Sequence, residues 1–447
     1  MDKFKKKQQG KNPFRFILLI GDYAPEEAKS ADWYLPSIDY YDLITTETKA
    51  FSDVLFGDLD SNGVPDIPVG RLVVRNSGQL QTQLRKIAAF QQRPFSPAHY
   101  QANLWVGGLG FTQQINDIVL DQSYRIPSWM NKTIISAHPK SPYAGHIPDQ
   151  PSIFLNQVSR PFFLSLVASH GSYREIHQTV FKGQKIHLTV DDLSRLNSLN
   201  PSGLTFLLSC NTGQFNLPIS SGLSFSETLA NHIGGPIALV SATGTSHPLT
   251  NHYITESLLQ VIPNQPETVG ELLLSIQKQL TELGTDSFNR LMQSDESARK
   301  LASAIPERDR HTLYLPGLLK KNVLLYNLIG DPSIPLYLPG DLQLAIKHRD
   351  KDRLLISGST KTDCHKLYVD LLPAGKYSGE HRFETIADRR KVFNEVNSRP
   401  HFMLSKDISG TEFSVTVPIK KNLRRKDGVL RVIAVGWEKN YVATATF

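Results

Sequence analysis

The chain has 447 residues, enough for two or three domains, with 40% hydrophobic and 20% charged residues, the balance of an ordinary water-soluble globular protein. The formal charge is +7 and the pI about 9.1, but much of the excess sits in short runs such as Lys5-Lys6-Lys7 and Arg424-Arg425-Lys426. Scattered runs make no basic face, so nucleic-acid binding is not expected. The two cysteines, Cys210 and Cys364, fall in segments that read as separate domains, which excludes a disulfide framework and leaves cysteine for chemistry.

In chain order, residues 1–13 read as a basic extension. The apolar run Phe16 to Ile20 ends at Gly21-Asp22, short of a signal-peptide core, and reads as a buried strand. No apolar run reaches the roughly 18 residues of a membrane span. The protein is therefore expected in the cytoplasm as encoded, or secreted if targeting sequence precedes Met1.

From Phe14 to Pro339 short apolar runs alternate with helical patterns, which predicts an α/β fold with a mostly parallel sheet flanked by helices. Further strands are predicted at Asn103–Gly107, Thr133–Ser136, Phe162–Ala168, Thr205–Ser209, Ile237–Ser241 and Val323–Leu328. Gln79–Phe90, with Leu80, Leu84, Ile87 and Ala88, and Val269–Leu283, with Leu272, Leu273, Ile276 and Leu280, have the spacing of core-facing helices. After Gly340 the texture turns to strand-like alternation at Phe413–Val417, Val429–Val435 and Tyr441–Phe447, with Asp427-Gly428 suited to a hairpin turn, so 340–447 reads as an all-β sandwich. Within it, Glu384–Val396 has helical order and reads as an inserted helix or exposed loop with a dibasic tip, Arg389-Arg390.

Two strand ends carry candidate chemistry. Phe162 to Ala168 runs into Ser169-His170-Gly171-Ser172, and Leu204 to Ser209 runs into Cys210-Asn211-Thr212-Gly213. In an open parallel sheet, functional groups gather beyond the carboxyl ends of the strands, so a His and a Cys on neighbouring strands would face a common crevice. A thiol needs a base to become a nucleophile, and imidazole can take the proton and later deliver it to a leaving amine. The N–H groups of Gly171 and Cys210 are the candidate oxyanion donors. Either residue alone is more often structural; the pairing at two strand ends carries the reading.

The segments Ala168-Ser169-His170-Gly171-Ser172 and Leu208-Ser209-Cys210-Asn211-Thr212-Gly213-Gln214-Phe215 resemble the catalytic motifs of gingipain-like cysteine peptidases. Three more follow the family's order: Asp58 to Leu72, ending on Val69-Gly70-Arg71; Gly234 to Thr243; and Leu328-Ile329-Gly330-Asp331-Pro332-Ser333. The resemblance implies a caspase-like fold, with an N-terminal subdomain at 14–100, a catalytic subdomain at 101–339 and an immunoglobulin-like domain at 340–447. It implies a cysteine endopeptidase acting through a Cys210–His170 dyad on protein or peptide substrates, with no cofactor needed for catalysis. Ser169 stands where the family often has glycine. Val106 to Gly110 offers no glutamate to orient the histidine, so no third member is assigned. By the same resemblance Thr243, Gly244, Thr245, Ser246 and His247 are candidates for the wall of the primary pocket. Asp117 or Asp121 is the candidate acid selecting Arg or Lys before the cut.

Asp58, Asp60, Asn62 and Asp66 with Gly63 group oxygen ligands around one loop, which fits either a structural calcium site or an Asn-Gly turn with solvated acids. Gly108-Leu109-Gly110 lacks the third glycine of a dinucleotide loop, and no His-Glu-x-x-His is present. Two alternatives remain beside the peptidase as read: an inactive caspase-like binding scaffold, and an intracellular protease switched on by a regulatory protein partner.

Overall fold

The computed structural model describes residues 14–23, 29–41, 49–107, 112–198, 201–283, 293, 295–303, 315–350, 353–372, 381–418 and 428–446. Residues 1–13, Gly108 to Gly110, Arg424 to Asp427 and Phe447, which figure in the expectations above, lie outside them.

The strands before Gly340 are β1 (Ile17–Ile20), β2 (Ile38–Tyr41), β3 (Lys49–Ser52), β4 (Val69–Leu72), β5 (Gln101–Val106), β6 (Asn131–Ser136), β7 (Leu164–Ala168), β8 (His170–Ser172), β9 (Glu175–Phe181), β10 (Gln184–Thr189), β11 (Ser202–Leu208), β12 (Pro236–Ala242) and β13 (Tyr326–Ile329). Eight of them form one sheet in the order β1-β4-β13-β12-β11-β7-β5-β6, parallel throughout except where β12 meets β13. Its central strands β11 and β12 are buried along their whole length, as strands covered on both faces by helices must be. The sheet is joined across the two predicted subdomains by a single register pair, Ile329 opposite Arg71.

The helices are α1 (Ser77–Gln92), α2 (Thr112–Arg125), α3 (Gln150–Val158), α4 (Phe225–Asn231), α5 (Pro248–Val261), α6 (Val269–Glu282), α7 (Glu296–Ser303), α8 (Leu315–Leu325) and α9 (Ile386–Val396). In α6 the expected Leu272, Leu273, Ile276 and Leu280 are all buried. In α1 the buried residues are instead Gln83, Lys86 and Phe90, and Leu84 is half exposed. The helix turns a polar stripe inward because acceptors wait there. Lys86 Nζ donates to Ala230 O at 2.5 Å, Gln83 Nε2 to Val73 O at 3.0 Å, and burial pulls the Lys86 pKa down to about 7. The strand expected from Val323 begins only at Tyr326. Leu318, Leu319 and Val323 are buried at helical spacing, so α8 runs directly into β13.

Beyond Gly340 come β14 (Gly340–Asp341), β15 (Gln343–Asp350), β16 (Arg353–Leu372), β17 (His401–Pro418), β18 (Val429–Gly436) and β19 (Asn440–Thr446). All are linked by hydrogen bonds into one sheet, because the 20-residue β16 serves two sets of neighbours. Its first part lies between β15 and β17, its second between β17 and β18, with register breaks around Cys364. One apolar core, including Leu354, Ile356, Leu367, Val369, Val417 and Val432, underlies both parts. This sheet docks on the body through Ile433, Val435 and Val442 against Tyr100, with Arg431 pairing Asp370 and reaching Trp129 O at 2.8 Å. The inserted α9 covers the outer edge of β6, where Asn397 exchanges 2.8 Å hydrogen bonds with both N and O of Ile134. The dibasic tip is committed to the body, Arg389 to Pro139 O and Arg390 to Asp149.

Candidate active site

Register brings the two strand ends together. On the adjacent parallel strands β7 and β11, Ala168 lies opposite Leu208, so His170 and Cys210 each follow their strand by two residues and leave the sheet at one level. One residue earlier, Ser169 Oγ and Ser209 Oγ are hydrogen-bonded at 2.9 Å, which makes Ser169 a bridge between the two strand ends. A Cβ on Gly171 would stand 2.9 Å from Ser209 Cβ and from Thr212 Cγ2, so only glycine lets the chain after His170 lie on the nucleophile turn.

Cys210 is partly exposed and is followed by Asn211 in the left-handed conformation, φ 59°. The turn is tied to the loop beyond β12: Asn211 N donates to Gly244 O and Gly213 N to Ala242 O, both at 2.9 Å. From that loop Ser246 N points to Cys210 Sγ at 3.4 Å, with Ser246 Oγ 3.6 Å from the sulfur. Two residues that sequence reasoning missed hold this contact. Asn251 Nδ2 donates to Ser246 Oγ at 3.3 Å, and Tyr326 Oη donates to Asn251 Oδ1 at 2.7 Å. The signal was weak: a tyrosine and an asparagine, Tyr326-Asn327, at the start of a short strand that ends on Leu328-Ile329.

After His170 the chain enters a second unforeseen feature, the antiparallel sheet β8-β9-β10, in which His170 is opposite His177. Its hairpin turns on Lys182-Gly183, both with positive φ, the geometry of a two-residue turn.

Of the residues 243–247 expected to form the pocket wall, Ser246 touches the cysteine and Gly244 O accepts from Asn211 N in the nucleophile turn. Thr243 is buried and donates to Phe51 O, Thr245 O accepts from the buried Lys321, and His247 caps α5 by accepting from Leu249 N. Burial, then the Lys321 charge, lowers the His247 pKa to about 4, which keeps the ring neutral as a capping acceptor. Asp117 and Asp121 are exposed on α2, and Asp121 lies 3.8 Å from Arg125. Carboxylate oxygens of Asp58, Asp60 and Asp66 lie within 4.8 Å of one another. The same groups accept backbone N–H bonds, Asp58 from Asn62 and Gly63 and Asp66 from Leu59, while Asn62 Oδ1 accepts from Val64.

The Val69-Gly70-Arg71 motif braces the site from behind. Arg71 is fully buried, forks onto Asp53 at 2.6 and 2.7 Å, donates to Leu35 O at 2.8 Å, and lies 5.1 Å from the ring of Phe215 in the nucleophile turn. A Cβ on Gly70 would come within 2.4 Å of Gly330 O, so the two glycine motifs fit one another. Beside them Arg75 pairs with the buried Asp22, and Glu227, in a capping box with Ser224, lies 3.8 Å away from Arg75. Burial and the nearby Asp22 raise the Glu227 pKa to about 8.

A mostly parallel α/β sheet with His and Cys at neighbouring carboxyl ends is the arrangement of a cysteine peptidase. The profile of peptidase family C25 matches residues 1–337, and the chain belongs to that family. A solved protease structure, 12% identical, is similar over 99% of this chain and 86% of its own with a TM-score of 0.53, which shows the fold. The Arg-specific cysteine proteinase gingipain R is 13% identical over 100% of this chain and 87% of its own, TM-score 0.49. The complex of Porphyromonas gingivalis RgpB pro- and mature domains gives 13% and 0.49, covering 88% of that chain. A search of curated proteins found no match. Among the described residues no helix is long and apolar enough to cross a membrane.

Proposed function

We propose that this cysteine peptidase is an endopeptidase working through a Cys210–His170 dyad. Its Sγ attacks the scissile carbonyl carbon after His170 takes the thiol proton, and the N–H groups of Gly171 and Cys210 hold the oxyanion. Collapse to the thioester expels the amine, which takes the proton from His170; water, deprotonated by the same ring, then releases the acid and frees the thiol. The observation that carries the reading is the common register of His170 and Cys210, locked below by the 2.9 Å Ser169–Ser209 bond. Cys210→Ala is expected to abolish hydrolysis of a mixed peptide library; unchanged hydrolysis sinks the mechanism.

A preference for Arg or Lys before the cut is the finer part of the proposal. It follows the Arg-specific gingipain R by family likeness. Asp117 is the better candidate acid, since it lies about one turn nearer than Asp121 to the end of α2 that follows β5, the site's side of the sheet. The library on the wild-type chain reads this preference directly; cleavage after non-basic residues removes it. For the Asp58 to Asp66 loop we propose a structural calcium, supported by the three converging carboxylates. At about a hundredfold excess over Kd, calcium would stabilise by about 2.7 kcal/mol, and a melting temperature indifferent to calcium and chelator removes the site. The immunoglobulin-like reading of 340–447 is supported by the single core shared by both parts of β16. A regulatory partner remains a proposal; the pro-domain complex is a property of the RgpB relative.

A further inference from the structure

Away from the cysteine, a cleft of about 540 Å³ lies where the body meets the C-terminal sheet. Its body side carries Phe90, Arg93 and Tyr337; its sheet side carries His365, Lys366 and Trp437. The volume falls within the range of small-molecule sites.

Two features of this cleft are unexplained by folding. Trp437 is 81% exposed, yet held flat on the His365 ring with centroids 4.2 Å apart and planes at 24°. An indole fixed in that way costs apolar exposure and offers a rigid stacking face. Arg93 has the opposite problem. Its guanidinium is mostly buried, with Cζ 3.7 Å from the Phe90 ring, and among the described residues no carboxylate pairs with it. Its Nη1 is shielded from water without a hydrogen-bond partner, as is His365 Nδ1. Buried polar atoms left this way cost about 1 to 3 kcal/mol each, more for a charged group. Burial, opposed only by Tyr337, lowers the Arg93 pKa to about 10, so the group stays charged. The cleft thus presents a flat aromatic face, Trp437, and a cation, Arg93, that no carboxylate pairs with among the described residues.

We propose that this cleft binds a carboxylate-bearing sugar of the uronic acid type, its pyranose face on Trp437 and its carboxylate on Arg93. At the rim Lys439 adds a positive charge, Lys366 is paired with Asp407 at 3.0 Å, and Glu438 is the one carboxylate among the lining residues. An extended acidic peptide fits less well, because the bordering strands offer it no open ladder: β16 is paired on both sides, by β17 and β18, and β18 by β16 and β19. The site is separate from the peptidase machinery and does not depend on it.

The test titrates the full chain with trigalacturonate and with galactotriose, following tryptophan fluorescence and calorimetric heat. Saturable binding of the charged trisaccharide only, weakened about tenfold or more by Trp437→Ala, is the expected result. Arg93→Gln should remove the preference for the charged sugar. Because Trp437 is exposed, its alanine variant should keep the wild-type melting temperature and peptidase rate, so it tests the site even if the Arg93 variant misfolds. Absence of saturation, equal binding of the neutral trisaccharide, or affinity unmoved by Trp437→Ala would each overturn the proposal. So would an acidic pentapeptide that binds in place of the sugar with the same dependence on Trp437.

Discussion

The two halves of the central sheet meet their buried polar needs by different means. On the β1-β4-β13 side they are met by charge: Arg71 with Asp53, and Arg75 with Asp22 beside Glu227. On the β7-β11-β12 side, under the cysteine, they are met by neutral hydroxyls. Ser169 bonds Ser209, Thr212 bonds Ser241 at 3.0 Å, and Ser226 donates to Ser241 at 2.7 Å. Charges act over longer distances in a low-dielectric interior than hydroxyl dipoles do. The bonds directly beneath the proposed Cys210–His170 dyad thus carry no formal charge, while the buried ion pairs brace the other half of the sheet.

That contrast can be broken by separating chemistry from stability. The largest effect should come from the proposed Cys210–His170 dyad. Cys210→Ala and His170→Ala are each expected to lower kcat/KM by about 10³-fold or more while the melting temperature stays within a few degrees. A large loss of stability instead would make the pair structural. Next, Arg71→Met strands the buried Asp53 carboxylate and should cost about 3 to 5 kcal/mol in denaturant unfolding, with partial recovery when Asp53→Leu is added. If the single variant is as stable as wild type, the charged half is not the brace described here.

The third test is pH. The Glu227 pKa is raised in the fold, to about 8, above its ordinary carboxylate value, so the folded state holds a proton that the unfolded chain has released. The associated stability is complete below about pH 4.5 and is lost as pH rises toward 8, by the linkage between proton binding and folding. Glu227→Gln, which mimics the protonated acid, should flatten that decline of melting temperature; a slope that persists in the variant assigns it elsewhere. The smallest effect belongs to the hydroxyl half. Thr212→Val removes the donor to Ser209 O and should cost about 1 to 2 kcal/mol, read as a shift in denaturant midpoint with unchanged slope. A loss as large as that of Arg71→Met would erase the distinction.

Much of this was readable along the chain. Strand patterns end where strands end, and the motif at His170 and the motif at Cys210 each mark a strand terminus, because a buried parallel strand must be continuously apolar and must stop at a turn. The five ordered motifs also named the family. Tertiary structure decided the rest. Lys86 and Gln83 point inward only because Ala230 O, 144 residues from Lys86, and Val73 O, just past the end of the preceding strand, face them. Asn251 and Tyr326 reach the cysteine through Ser246, a relay no local spacing announces. α8 keeps its helix to Leu325 because the core receives Val323 on that face. Periodicity records which residues avoid water, a local property of each element. Which polar group meets which depends on how elements pack, and that pairing exists only once the chain has folded.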